Sequence, residues 1–207
     1  MRIINFPIIG EHRAFVTGLI PELMNVAGKE QFKNIFTNHE LSDLFRSPQI
    51  DSKSSLFQDL VDLKFQQYSK ILVIGGWLGF TSFCLFKLGF FDITEIDVDE
   101  RVASFSKELN KHNVNFKYQT IDCNLIDMEN YDIVINTCCE HISDNTWFNK
   151  INEKTAIFLH SNDLNGFGHV NICKDLEDMK QKYPMRNYCT HTFNYPGWNR
   201  FTISGYK

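Results

Sequence analysis

Residues 71–99 read ILVIGGWLGFTSFCLFKLGFFDITEIDVD, and their reading decides the fold. Ile71–Ile74 is an unbroken apolar run, as a central parallel strand covered on both faces requires. Gly75, Gly76 and Gly79 then permit a tight turn in which backbone can approach a ligand closely. From about Phe80 to Leu88 the pattern becomes helical, and Asp92–Val98 reads as a second strand closing on acids. The helix aims its free N–H groups and the positive end of its dipole at the glycine turn. An anion is favoured there, either a phosphate or the carboxylate of an amino-acid moiety. Asp97 stands about 20 residues beyond the turn, where an acid can accept hydrogen bonds from both ribose hydroxyls. Strand, turn, helix and terminal acid together form the front half of a nucleotide-binding βαβ unit.

Residues 71–91 carry a single charge, Lys87, and are long enough for a membrane-spanning helix. The glycines at 75, 76, 79 and 89 interrupt the run, and its pattern changes after Gly79, so a globular reading is preferred.

Downstream, strands and helices alternate. Strands are predicted over residues 115–120, 131–136 and 155–160, and helices over 100–113, 144–152 and 175–183. This order predicts an α/β, Rossmann-like doubly wound sheet, mostly parallel. Residues 188–194 and 200–206 alternate around Tyr195-Pro196-Gly197-Trp198, which predicts a C-terminal antiparallel hairpin. Upstream, residues 1–68 read as a helical N-terminal cap to a 69–207 binding domain. Helices are expected over 11–27 with a break at Pro21, over 30–36, over 39–45 and over 52–67, with Ser47-Pro48 ending a run. Whether the cap closes over a ligand is left open by the sequence.

Three loops follow strands and carry candidate chemistry. Asp122, in TIDCN, either meets the exocyclic amine of an adenine or caps a turn. Glu140 and His141, after the fourth strand, are the residue types general base work needs, and a histidine titrates near neutral pH. Asn162 and Asp163, after the fifth strand, can bind an acceptor amine or the far end of a cofactor, and His169 follows in a glycine-flanked loop. Tyr195 and Trp198 suit either a pocket wall or packing at the turn. Cys138, Cys139, Glu140, His141, His160, Asp163 and His169 show no recognised ligand spacing, so no metal is expected.

The runs ILVIGG-WLG, ITEIDVD, YQTIDCN and YDIVIN resemble the class I S-adenosylmethionine-dependent methyltransferases, a Rossmann-like superfamily, over roughly residues 65–207. The resemblance implies S-adenosyl-L-methionine as cofactor. It implies that Gly75, Gly76, Trp77 and Gly79 form the cofactor loop, that Asp97 is the ribose acid, and that Asp122 with the Cys123 backbone forms the adenine site. It puts Asn136 where the fourth strand meets the ligand. His141, Glu140, Asn162 and Asp163 would serve the transfer. Val73 and Trp77 stand where the family has its motif acid and middle glycine. Nicotianamine-synthase-like enzymes also lack that acid and transfer an aminocarboxypropyl group. Methyl transfer to a small-molecule N or O acceptor is the leading expectation. Aminocarboxypropyl transfer, cleavage of the cofactor, or a non-catalytic binding module are the alternatives.

The bulk numbers agree with a small-molecule enzyme. Hydrophobic residues are 43%, nineteen of them Phe, and the net charge is −4. A generic nucleic-acid binder would show a basic patch, and no Lys/Arg run supports one. Six cysteines include no CxxC pair, which suggests reduced thiols. Residues 1–13 lack the apolar run of an export signal, so a cytoplasmic protein is expected.

Overall fold

A computed structural model describes residues 9–166 and 168–207. Over residues 1–8 the leader reading lies outside the described residues, as does Phe167 of the 166–169 loop. No described helix is long and apolar enough to cross a membrane.

Helices come first: α1 (Ile9–Gly18), α2 (Ile20–Ala27), α3 (Asn38–Asp43) and α4 (Ser47–Asp62). Pro21 sits in the first turn of α2 and marks the expected break. Only Glu30–Phe32 of the expected 30–36 helix forms, as one 3-10 turn. Thr37 caps α3 through a reciprocal capping box with Glu40. The largest departure is α4. Pro48 starts this helix instead of ending a run, because a first-turn residue needs no N–H partner. The helix then continues through the polar run Ser52-Lys53-Ser54-Ser55, which is buried. Ser54 and Ser55 return their hydroxyls to Ile50 O at 2.7 Å and Ser52 O at 2.9 Å, which satisfies these donors within the helix. Phe65 lies beyond the end of α4 and packs edge-on to Phe158.

The sheet follows as β1 (Ile71–Ile74), β2 (Ile93–Asp97), β3 (Lys117–Thr120), β4 (Ile133–Asn136), β5 (Ala156–Asn162), β6 (Arg186–Tyr195) and β7 (Trp198–Tyr206). Its order is β3-β2-β1-β4-β5-β7-β6. The first five strands pair in parallel, and β7 is antiparallel to both β5 and β6. The hairpin therefore inserts its second strand beside β5 and leaves β6 at the edge. Pro196 fixes its own φ, and Gly197 supplies the positive φ (+85°) the turn needs.

Helices α5 (Phe80–Lys87), α6 (Ala103–Leu109), α7 (Thr146–Asn149) and α8 (Leu176–Lys182) complete the chain. Alternation along the strands divides the core. Val73, Ile135 and Phe158 face a cluster with Val16, Leu23, Phe57 and Phe83, whereas Leu72, Val134 and Ile157 face one with Trp147, Phe148 and Tyr183. The helices before residue 68 thus share a core with one face of the sheet. Strand order reverses between β1 and β4, and such a switch point opens a crevice at the carboxyl edge.

Candidate functional site

The glycine turn is held by its neighbours. Gly75 has φ +61°, and a Cβ there would stand 1.9 Å from Cys138 Sγ. A Cβ on Gly76 would stand 2.3 Å from the Glu95 carboxyl carbon. Glu95 is fully buried on β2, directly paired with Val73 on β1. It accepts hydrogen bonds from Ser82 of α5 and, at 2.7 Å, from Ser106 of α6. Burial pushes its pKa up to about 7, against the pull of those two hydroxyls. A charge inside the apolar strand ITEID was the sequence signal for it. Trp77, where the family pattern has glycine, keeps the left-handed backbone (φ +51°), a conformation costly for any side chain.

Asp97 closes the turn. Oδ2 accepts from Trp77 N at 2.9 Å and Oδ1 from Asp99 N at 3.0 Å. Burial raises its pKa, opposed by these backbone donors. Each carboxylate oxygen keeps a second lone-pair direction for a ligand. Beyond it lies a cleft of about 940 Å³ at the carboxyl edge of β1, β2, β4 and β5. Gly75, Gly76, Trp77, Asp97, Asp122 and Cys123 border one side of this cleft, and Glu140, His141 and Asn162 border the other. Asp122 also caps a 3-10 turn by accepting from Asn124 N at 2.8 Å. Burial pushes the Cys123 thiol up to about 12.

Three of the sequence-derived residues stand back from the cleft. Gly79 caps α5 in the left-handed conformation and faces Ser106 and Asn110. Asn136 accepts from Cys138 N at 3.0 Å, shaping the loop after β4. Asp163 accepts from Asn199 N at 2.6 Å and Asn199 Nδ2 at 2.7 Å, which ties the loop after β5 to the hairpin.

The far wall holds residues that sequence reasoning missed. Lys53 of α4 and Arg200 of β7 are 4% and 3% exposed and both border the cleft. Lys53 donates to Gln49 Oε1 at 3.0 Å, and burial with the nearby Arg200 charge lowers its pKa to about 8. Arg200 donates to Thr137 O at 3.2 Å and lies 3.8 Å from Glu140 Oε1. That same Glu140 oxygen accepts from Asn162 Nδ2 at 2.7 Å. Glu140 Oε2 and Arg200 Nε are buried without a partner. His141 lies beside His169, ring centroids 4.6 Å apart. Trp198 borders the cleft with Tyr195 packed against it, and Tyr195 donates to Asp51 of α4 at 2.8 Å. One wall thus carries acids fit to accept from hydroxyls and amines, and the other carries two buried cations, of which Arg200 stands beside the Glu140 carboxylate.

Residues 51–180 match the model of the spermine/spermidine synthase domain. No curated protein sequence matches the chain. Among solved structures, magnesium protoporphyrin IX methyltransferase (ChlM) from Synechocystis PCC 6803 with bound SAH is similar at 12% identity, with TM-score 0.62 over 92% of this chain and 95% of that one. The CurJ carbon methyltransferase is similar at 9% identity, TM-score 0.61, over 96% and 71%. A mutant of MtNAS in complex with S-adenosylmethionine is similar at 13% identity, TM-score 0.54, over 96% and 78%. At these identities the likeness is one of fold.

Proposed function

We propose that the chain, which belongs to the spermine/spermidine synthase domain family, is a transferase using S-adenosyl-L-methionine, and that it moves the methyl group to a small-molecule N or O acceptor. The observation that carries this reading is that the Asp97–Asp122 wall and the Glu140–His141 wall face one another across a single cleft. Its volume, about 940 Å³, is at the upper end for ligand sites and leaves room for an acceptor beside the cofactor.

The chemistry of the residues fits the cofactor. Asp97 has lone pairs to offer a ribose diol, and Asp122 with the Cys123 backbone suits an adenine edge. Lys53 and Arg200 offer positive charge to a carboxylate, in a chain where Val73 replaces the acid expected to hold the methionine amine. When bound, the cofactor supplies an electrophilic carbon on a sulfonium. The chain's own work is to hold the acceptor in line with that carbon, which accounts for much of the rate in such reactions. Glu140 Oε2, buried and unpartnered, is the group on this wall that can take the acceptor's proton.

Val73 and the fold shared with MtNAS favour a second reading, in which the same cofactor gives up its aminocarboxypropyl group. Product analysis with a metabolite panel separates the two. S-adenosylhomocysteine marks methyl transfer, and methylthioadenosine marks the second reading. Calorimetry comes first: failure to bind S-adenosylmethionine at millimolar concentration would sink both and leave a non-catalytic binding module.

A further inference from the structure

We propose that Glu140, His141 and His169 form a binding site for a first-row divalent metal ion, of the zinc type, at the mouth of the cleft. One donor atom from each of the three lies within 4.8 Å of the others. Two imidazoles and one carboxylate are a borderline ligand set that suits zinc and its first-row neighbours and leaves a coordination position open. A tetrahedral ion bound at about 2.0 Å holds its donors roughly 3.3 Å apart, so a modest side-chain rotation completes the site. His141 is solvent-exposed and His169 half-buried, and neither imidazole is locked in a core.

The surroundings prepare each ligand. His169 Nδ1 lies 2.7 Å from Leu164 O. That carbonyl can only accept, so Nδ1 carries the proton and Nε2 keeps its lone pair free for a metal. Carbonyl-oriented histidines of this kind are typical of metal sites. Glu140 is oriented in the same way: Asn162 holds Oε1 at 2.7 Å, and Oε2 is left buried without a partner, so that with an ion bound it serves as a ligand and only in the metal-free chain as a base. The backbone joins the two loops as well. Val170 N and Asn171 N both donate to Glu140 O, at 2.8 and 3.0 Å, which brings His169 beside Glu140 and His141. All three side chains border the same cleft, so the open coordination position faces the ligand space. The sequence conceals this arrangement because Glu140 and His141 are adjacent while His169 comes from the next loop.

Zinc calorimetry on the chelator-treated full chain tests the site. One ion per chain is expected, and His141→Ala and His169→Ala should each weaken binding by about a hundredfold or more. Glu140→Gln should weaken it as well. His112→Ala, an exposed histidine at the opposite edge of the sheet, should leave affinity unchanged. Cobalt in place of zinc should give visible d–d bands without a thiolate band in the near ultraviolet, since no cysteine is among the three ligands. No binding at millimolar zinc, affinity unchanged from the unsubstituted chain in both histidine variants, or a strong thiolate band would each overturn the proposal. S-adenosylmethionine binding to the metal-free samples is measured in parallel, so loss of the metal site and loss of the transferase reading are told apart.

Discussion

The two walls of the cleft treat their polar groups differently. On the β1–β2–β3 side, Asp97 and Asp122 already accept backbone N–H groups, from Trp77 and Asp99 and from Asn124. On the β4–β5–β7 side, Glu140 Oε2 and Arg200 Nε are buried without partners. A buried polar atom without a partner costs about 1–3 kcal/mol. The first wall is satisfied by its own chain and can stand before any ligand arrives. The second has unmet hydrogen-bonding capacity, which a bound ligand can satisfy. Acceptor recognition is therefore where binding has most to gain.

The largest expected effect breaks the second wall. Arg200→Met removes the only cation within ion-pair distance of Glu140 among the described residues and should cost about 3–5 kcal/mol of stability, read by denaturant unfolding. Adding Glu140→Gln should restore part of that loss. A double variant no better than Arg200→Met alone would mean the two do not act as a pair. Next, Glu140→Gln alone should lower kcat for methyl transfer about a hundredfold while leaving the S-adenosylmethionine Kd within about twofold. A matching loss of cofactor affinity would erase the distinction between the walls.

The remaining two effects probe the first wall. Glu95 keeps its proton up to about pH 7, above the ordinary carboxyl range. Below the unfolded pKa both states are protonated and nothing is lost. Between that value and about 7 the unfolded chain ionises first, so stability falls as pH rises. Glu95→Gln should flatten this slope and gain on the order of 2 kcal/mol at pH 8, read from thermal or urea unfolding across pH. A slope unchanged in the variant would place the titration elsewhere. Smallest, Asp97→Ala should weaken S-adenosylmethionine binding at least tenfold, about 1.4 kcal/mol, by calorimetry. Unchanged affinity would mean the ribose lies elsewhere.

Much of the fold was legible in the sequence. Strand β1 falls on Ile71–Ile74 as read, because four buried apolar residues before a glycine turn admit few other structures. The parallel order and the closing hairpin followed from alternation and from Pro196-Gly197. The site was legible where one loop supplies the chemistry, as at Asp97 or at Glu140 and His141. It was illegible where packing supplies it. Lys53 and Arg200 come from a helix before the first strand and from the last strand, and no local pattern marks either. Pro48 misled because a proline that ends one segment can equally open the next helix. Asp163 shows the converse: a polar loop residue with suitable chemistry that the hairpin engages through Asn199.

The insertion of β7 between β5 and β6 also bears on how the protein is made. Arg200 reaches the cleft only after β7 has paired with β5, and α4, synthesised far earlier, waits for the same strand: Asp59 accepts from Ser204, and Ser55 lies 3.4 Å from Thr202. A chain emerging from the ribosome can pair β1 to β5 and dock its glycine turn, but the cationic wall stays open until residues beyond 198 are free. These contacts span most of the sequence, so closing them is slow compared with local helix formation. The wall that carries Arg200 is therefore assembled only once β7 has paired with β5.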